Sequence, residues 1–388
     1  MENSILVIAP GHDEIDHRVK RSFAEILKVF SQSVLYFEST RVTKSFSEKP
    51  NVKSYKPIPL LDLALFRKRV LNDDIFIQAM SHKYIYIHDS GLYGVFLAQY
   101  LNRYFPQKKL IFDYHDYIDW EVSHHIGKYA SSKKIRKVFL ECFLFLLNKL
   151  ILSKLKIHAL IGISSKQLES FNGRLTQYHC SKQLVVPNTR ERQESSFNAL
   201  GVEDCCNFLW VGNVGKNRSV ERLDAYVRRF LEYSRGRRTN LLFIGKIWGD
   251  CSELLHNSNY LGGYDSDGDV LNLLPREKNI GTFLGWDDDF SLGINEISSP
   301  NKFYTYVNIG IPFLIPTNLA SLIDSCHVED CFCFVDENDF ITKAEAILSN
   351  YSHYCFKVSI LKESIVWDSD IRKELLNFYT NLEAESAL

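Results

Sequence analysis

Two histidine–aspartate pairs stand where short apolar runs of the first half end. His88 closes the run 84–88 and is followed by an aspartate, and His115-Asp116 follows the run 110–114. A carboxylate can fix the tautomer of an imidazole, so these residue types suit acid–base or orienting work. Adjacent side chains on extended backbone point apart, which disfavours a metal shared within either pair. We therefore predict that His88, His115 and Asp116 line a catalytic crevice, with His115 foremost, and we expect no metal site.

A glycine turn with two cations opens the second half of the chain. Residues 212–218 read Gly-Asn-Val-Gly-Lys-Asn-Arg, between an apolar run and a helical pattern. Backbone N–H groups at Gly212, together with Lys216 and Arg218, would form a cradle for a diphosphate. The turn is not a P-loop, which needs four residues between its glycines and a serine or threonine after the lysine. Lys246, at the end of the next apolar run, supplies a further cation.

A second candidate anion site lies between residues 296 and 312. Its polar loop contains Ser299, Pro300 begins a predicted short helix, and Gly310 ends that helix. The first helical turn exposes N–H donors beside Lys302, which again suits a phosphate. A capped surface helix would explain the proline and the glycine but not the cluster of donors and cation.

The end of the first apolar run, 5–9, is a third candidate. Gly11 and His12 follow this run, and Arg18 lies in the helix that begins there. A glycine lets backbone N–H groups approach a ligand, and a helix N-terminus favours anionic groups. A routine strand–helix turn with an aspartate cap is the alternative, and it stays open.

Apolar runs of strand length alternate with helical patterns, which predicts parallel sheets covered by helices. The alternation stops over a polar segment near residue 200 and then resumes, and at ~100–200 residues per domain the 388 residues suggest two domains. We expect an α/β protein with two doubly wound, Rossmann-like domains facing across a cleft, and ligands beyond the carboxyl ends of the strands. The expected divisions are an N-terminal domain 1–188, a linker 189–207, a C-terminal domain 208–370, and a helix 371–388 that crosses back to the first domain.

The composition excludes several classes of protein. A formal net charge of −1 argues against a nucleic-acid binder that relies on bulk electrostatics. The nine cysteines show no metal-ligand spacing. The first residues form a strand pattern rather than a signal peptide, and no window approaches the ~20 apolar residues that span a bilayer. We expect a soluble cytoplasmic protein with reduced thiols.

The helical segment 134–155 combines an apolar middle with basic flanks. It is apolar on nearly every side, which favours a core helix with basic ends. Contact with an anionic membrane surface, at the inner face of a membrane, is the alternative and stays open. The basic residues in and around the segment are Lys133, Lys134, Arg136, Lys137, Lys149, Lys154 and Lys156.

Several stretches resemble the glycosyltransferase family 4-like group of the GT-B fold, and together they span nearly all of the chain. They are Asp16-His-Arg-Val, Asp113-Tyr-His-Asp, Ile161-Gly-Ile-Ser-Ser with Val185-Val-Pro-Asn, Phe208-Leu-Trp-Val-Gly-Asn, and Ser299-Pro-Asn-Lys-Phe-Tyr-Thr-Tyr with Gly310-Ile-Pro. Members of this group often carry two glutamates eight positions apart, the second of which binds the donor's ribose. Here Thr305 occupies the second position, and Glu296 lies one residue from the first. Asn213 stands where many members have a phosphate-binding arginine, and Arg218 is the candidate substitute.

The resemblance implies transfer of a sugar from a nucleoside-diphosphate sugar to a hydroxyl of a glycan or lipid-linked acceptor, in bacterial surface polysaccharide or glycolipid synthesis. It implies retention at the anomeric carbon, with no cofactor and no metal. A non-catalytic module of the same fold that binds a glycan or a partner, and a nucleotide-sugar epimerase, are the alternatives. The expected donor contacts are Gly212, Asn213, Lys216, Arg218, Lys246, Glu296, Ser299, Asn301 and Lys302. His115 would contact the transferred sugar, and Gly11, His12 and Arg18 would lie on the acceptor side.

Overall fold

The chain divides into two compact units. Unit 1 comprises residues 1–187 and 369–388, and unit 2 comprises residues 188–368. A computed structural model describes residues 4–10, 17–38, 51–56, 58–68, 71, 73–88, 91–115, 118, 122, 133–175, 180, 182–199, 205–212, 220–234, 237–246, 259–285, 294–367 and 369–384.

Unit 1 is built on a parallel sheet. In the described residues it has seven strands in the order β3-β2-β1-β4-β5-β6-β7. Every residue of β1 is buried, as expected for a parallel strand covered on both faces. The strands are β1 Ser4–Ala9, β2 Gln32–Glu38, β3 Val52–Tyr55, β4 Tyr84–His88, β5 Lys109–Tyr114, β6 Ala159–Gly162 and β7 Gln183–Val185. The helices between them are α1 His17–Val29, α2 Leu60–Ala64, α3 Asp74–Ser81, α4 Leu92–Tyr104, α5 Lys133–Leu150 and α6 Ser165–Asn172.

Unit 2 repeats the same construction with its own apolar core. Its described residues form a six-stranded parallel sheet in the order β10-β9-β8-β11-β12-β13. The strands are β8 Cys205–Val211, β9 Arg238–Ile244, β10 Asn259–Gly262, β11 Lys278–Thr282, β12 Phe313–Pro316 and β13 Cys333–Phe334. The helices are α7 Val220–Tyr233, α8 Asp267–Leu273, α9 Ile294–Ile297, α10 Asn301–Ile309, α11 Ala320–Cys326, α12 Glu337–Ser349 and α13 Tyr351–Ile365.

The last helix, α14 Ser369–Ala384, returns to unit 1. The hydroxyl of Tyr84 in β4 donates to the carbonyl of Leu382 at 2.5 Å. Arg372 donates to Glu25 of α1 at 2.8 Å. Helix α14 therefore packs beside α1 and against the sheet of unit 1.

Several elements that the sequence pattern predicts differ from the structure. The apolar spacing over 63–80 predicts a single helix, but the structure has two helices, α2 and α3, because Phe66 adopts φ 51° after the first and Asp73 is extended before the second. The alternation of cysteine, phenylalanine and valine over 331–335 predicts a strand, but the structure has a one-turn 3-10 helix, Asp330–Phe332, followed by the two residues of β13. The segment predicted as a linker, 189–207, ends earlier than predicted because β8 begins at Cys205.

The expectation that 134–155 forms a core helix holds only in part for the side chains that the structure describes, because Leu147, Leu152 and Leu155 lie in the core of unit 1 whereas several others are exposed. The structure ends α5 at Leu150, and within 141–150 Leu147 is the buried side chain. Over 141–150, Leu144 and Leu147 pack against the core of unit 1, and apolar residues on other sides of the helix are exposed. Among the described residues, no helix has both the length and the apolar composition needed to cross a bilayer.

Candidate active site

The carboxyl ends of β4 and β5 bring together His88 and Asp113, which are 25 positions apart in the sequence. Parallel pairing places His88 directly opposite Asp113. The Nδ1 atom of His88 lies 3.0 Å from a carboxylate oxygen of Asp113, and both side chains are fully buried. The partner of His88 is therefore the aspartate of the next strand, which could not be read from the adjacent dipeptides.

Asp113 is the centre of a buried hydrogen-bond network. Arg18 of α1 donates to both of its carboxylate oxygens, at 2.7 and 3.2 Å, and Tyr86 donates to one of them at 2.6 Å. Arg18 also donates to the carbonyl of Val186 at 2.5 Å. The guanidinium of Arg18 is thus buried and hydrogen-bonded within unit 1. Its assignment to the acceptor side stays a prediction.

Charge sets the protonation of this network. Burial alone would raise the pKa of Asp113, but the charges and hydrogen bonds of Arg18 and His88 outweigh it and hold that pKa well below its usual range. Burial, and then the Asp113 carboxylate, raise the pKa of the Tyr86 hydroxyl well above its ordinary value. Asp113 is therefore an anion and Tyr86 a neutral donor at physiological pH.

His115 lies at the outer side of this network. Its ring centroid is 4.5 Å from that of His88, with the planes tilted by 36°. Its Nδ1 atom is 3.4 Å from the carbonyl oxygen of Asp113. His115 is half-buried, whereas His88 is fully buried, so of the two imidazoles it is that of His115 that has exposed surface.

A metal ion does not fit this cluster well. One ligand atom from each of His88, Asp113 and His115 lies within 4.8 Å of the others, close enough for three ligands of one ion. However, the guanidinium of Arg18 stands 2.7 Å from the Asp113 carboxylate, and a divalent cation would be placed beside that positive charge. The expectation of no metal stays a prediction.

In unit 2, Lys302 lies at the start of α10 and is buried. Its ammonium stands 3.6 Å from the ring centroid of Trp210 and 4.6 Å from that of Phe283. The π-electrons of these two rings attract the ammonium and help to hold it in place. A Cβ atom on Gly212 would lie 3.7 Å from Lys302 Cε, so the amine-bearing end of Lys302 lies beside the backbone at the end of β8.

Two glycines make a close backbone approach at this edge of the sheet. Gly212 and Gly245 follow β8 and β9 and have φ values of 110° and 145°. A Cβ atom on Gly245 would lie 2.1 Å from the carbonyl oxygen of Gly212. No side chain can be accommodated at Gly245 without a backbone shift, and this fixes the shape of the edge beside Lys302.

The structure also describes four further residues of unit 2 that were predicted to contact the donor. The Ser299 hydroxyl is buried and hydrogen-bonded to the Tyr304 hydroxyl at 2.6 Å, so it is engaged by α10 itself. Asn301 is the exposed first residue of α10. Lys246 and Glu296 are exposed. The remaining predicted site residues lie outside the described residues: Gly11, His12, Asp116, Asn213, Lys216 and Arg218.

Thr305 stands where the resemblance implies a glutamate. Its side chain is hydrogen-bonded to a carboxylate of another helix. Its hydroxyl donates to one carboxylate oxygen of Asp267 at 2.9 Å, and Asn308 donates to the other at 2.8 Å. Asp267 is the first residue of α8, 38 positions earlier in the chain. Sequence reasoning missed this carboxylate because no spacing pattern connects the two helices.

Comparison with solved structures places this arrangement in a known fold. The lipopolysaccharide outer core galactosyltransferase WaaB matches with a TM-score of 0.62 at 13% identity, over 99% of this chain and 100% of that one. The chain has the GT-B fold. Anabaena HepE, solved in complex with UDP, matches this GT-B chain with a TM-score of 0.54 at 11% identity, over 98% and 99% of the two chains.

A further structural match carries a different activity in its name. It is a candidate UDP-N-acetylglucosamine 2-epimerase from Listeria monocytogenes, with a TM-score of 0.56 at 11% identity, over 99% of this chain and 98% of that one. The sequence matches no model of a known protein family and no curated protein. Identities this low establish the fold and not the activity.

Proposed function

We propose that this protein is a glycosyltransferase that moves a sugar from a nucleoside-diphosphate sugar to a hydroxyl of an acceptor. The observation that carries the proposal is the buried ammonium of Lys302, held at the N-terminus of α10 beside the glycine edge of β8. A buried cation next to backbone N–H groups is suited to a diphosphate. Support also comes from the fold shared with WaaB, a galactosyltransferase, and with HepE, which was solved with UDP.

The proposed chemistry relies on electrostatics. The bond between the anomeric carbon and the diphosphate oxygen breaks, the acceptor oxygen bonds to that carbon, and the hydroxyl proton passes to the leaving diphosphate. Negative charge grows on the diphosphate during this step, and a fixed cation and a helix N-terminus stabilise it. We assign that role to Lys302, with Lys216 and Arg218 as further candidates. The scheme retains the anomeric configuration and needs no divalent metal.

The proposal assigns His115 to the transferred sugar. Because His88 and Asp113 are buried beneath it, we assign them, with Arg18, to positioning rather than to substrate contact. Asp116 follows His115 and remains a candidate for the same sugar. The acceptor that we propose is a glycan or a lipid-linked glycan, in bacterial surface polysaccharide or glycolipid synthesis.

The first test is calorimetric titration of the full chain with UDP, GDP and ADP. We expect one of these nucleotides to bind through unit 2. If none binds at millimolar concentration, the proposal is refuted. The second test incubates the protein with sugar donors of the preferred nucleotide, with and without oligosaccharide acceptors. A transferase releases the nucleotide only when an acceptor is present.

An epimerase is the second candidate, because the Listeria protein shares the fold over the whole chain. The same assay separates the two functions. An epimerase would change the configuration of the donor sugar without any acceptor, and chromatography of the donor would detect this. A protein that binds the nucleotide but neither transfers nor epimerises a sugar would instead be a binding module.

A further inference from the structure

Helix α5 exposes a broad apolar face. Phe143, Phe145, Leu146 and Leu150 are 39%, 61%, 51% and 51% exposed, and we call these four residues the α5 apolar face. At 3.6 residues per turn they lie along one continuous arc of about 160° around the helix axis. A soluble monomer rarely leaves large apolar side chains clustered in this way, and a cluster of this kind marks an interaction surface.

The surroundings of this face are basic. Lys149 lies within the same arc, and its ammonium is 5.5 Å from the ring centroid of Phe145. Lys154 and Lys156, which follow the helix, are also exposed. Over residues 133–156 the sequence contains seven lysines and arginines against one acidic residue, Glu141, whereas the whole chain has a net charge of −1.

We infer that the α5 apolar face docks on the surface of an anionic lipid bilayer. Aromatic and aliphatic side chains would enter the boundary between headgroups and acyl chains, while the lysines contact the anionic headgroups. Lysine suits this position because its stem packs along apolar groups while its ammonium remains in the polar layer. This inference goes beyond sugar transfer and does not depend on it.

Charge favours a bilayer over a second copy of the chain. A two-fold symmetric contact would bring the same face of both copies together, and so would oppose one basic cluster with another. An anionic lipid surface instead offers negative charge to all of these lysines at once. The face lies on a helix that is already formed in the single chain.

The test is sedimentation of the full chain with vesicles, one set of phosphatidylcholine alone and the other containing phosphatidylglycerol. We expect the protein to sediment with the anionic vesicles only, and added salt to weaken binding. The triple variant Phe145→Ser, Leu146→Ser and Leu150→Ser should bind at least about tenfold more weakly. The triple variant Lys149→Glu, Lys154→Glu and Lys156→Glu should lose the preference for anionic lipid.

A matched control replaces three exposed apolar residues of unit 2 with serine: Leu231, Phe356 and Ile360, which are 46%, 63% and 58% exposed. This control should bind vesicles like the wild type, and thermal unfolding should show that all three variants fold. Wild-type protein that does not sediment with anionic vesicles overturns the inference, as does a serine variant of the α5 apolar face that binds normally. If light scattering shows a wild-type dimer that this variant converts to a monomer, and lipid has no effect, the face is an interface between copies.

Discussion

His88 and Asp113 are opposite residues on neighbouring parallel strands, and the Nδ1 atom of His88 lies 3.0 Å from the Asp113 carboxylate. Arg18 holds the same carboxylate from the adjacent helix layer. The network is therefore anchored in the sheet and cannot rearrange without disturbing the strand pairing. Above it, His115 contacts the ring of His88 and is the only one of the two histidines that is partly exposed. A rigid base of this kind fixes the position of one accessible imidazole.

Asp113→Asn tests the buried network through the pH dependence of stability. In the unfolded chain an aspartate titrates near ~3.9. The folded pKa is lower, so Asp113 contributes stability that is present above pH ~4 and is lost as the pH falls toward the folded pKa. We expect the free energy of unfolding to fall less steeply between pH 5 and pH 3 in the variant than in the wild type. At pH 7 the variant should be less stable by about 3–5 kcal/mol, because Arg18 stays buried without its carboxylate.

The control for this prediction is Asp224→Asn. Asp224 pairs with Arg228 at 2.8 Å, and Arg228 is largely exposed, so the pair should contribute less than about 1 kcal/mol. Urea unfolding of both variants over this pH range measures the difference. Equal pH slopes for the wild type and Asp113→Asn would show that folding does not lower the pKa of Asp113.

His115→Ala tests the accessible imidazole of unit 1. If His115 contacts the transferred sugar, its loss should lower kcat by at least about tenfold, or ~1.4 kcal/mol in the barrier. Nucleotide affinity should change less than about twofold, because the diphosphate is assigned to unit 2. Steady-state kinetics with a donor and an acceptor measure the first quantity, and calorimetry measures the second. His353→Ala, at an exposed position of α13, is the control. A His115→Ala enzyme with normal kcat would remove His115 from the reaction.

The regular elements could be predicted from the sequence because parallel strands and their helices leave a strong alternating pattern. The sequence pattern predicts a strand over 84–88, which are the bounds of β4, and helices over 91–104 and 337–350, which match α4 and α12 to within one residue. The break between α2 and α3 was not predicted, since the left-handed conformation of Phe66 has no signal such as a glycine or proline. Tertiary context, and not local sequence, determines that conformation.

The candidate site could be predicted only in part. The positions of His88, His115 and Lys302 at strand ends and a helix start follow from the alternation of elements. The central role of Asp113 depends on strand order, which places β4 beside β5, and the pairing of Thr305 with Asp267 depends on the packing of two helices. The exposure of α5 could not be predicted either, because a helix that is apolar on most sides has the same composition whether or not neighbours cover it.

Lys302→Met tests the proposed diphosphate site. Methionine keeps an unbranched chain that can pack against Trp210 but removes the charge. A hydrogen bond from a charged group contributes about 1.5–3 kcal/mol, so the Kd for the preferred nucleoside diphosphate should rise roughly 10- to 150-fold. The matched control is Lys362→Met, which alters another buried lysine of unit 2, one that donates to the carbonyl of Gln193 at 2.6 Å. We expect the control to leave the Kd within about twofold of the wild type. Arg218→Ala should also weaken binding, and normal affinity in both the Lys302 and the Arg218 variant would refute the site.

Gly245→Ala tests the close backbone approach beside Lys302. The added methyl group would meet the carbonyl oxygen of Gly212 at 2.1 Å, and φ is 145°, so the backbone must shift and the residue is strained as well. Strain of this kind costs about 1–3 kcal/mol, and we expect urea unfolding to show a loss of at least that size. Gly263→Ala is the matched control, because it changes a glycine of the same unit where a Cβ atom would meet nothing within 4 Å. The stability of this control should stay within about 0.5 kcal/mol of the wild type.

The same pair of variants also tests nucleotide binding. Because the backbone shift would move Gly212 relative to Lys302, Gly245→Ala should bind the nucleotide more weakly, whereas Gly263→Ala should not. A Gly245→Ala protein as stable as Gly263→Ala would mean that the two strand ends are farther apart than the structure shows.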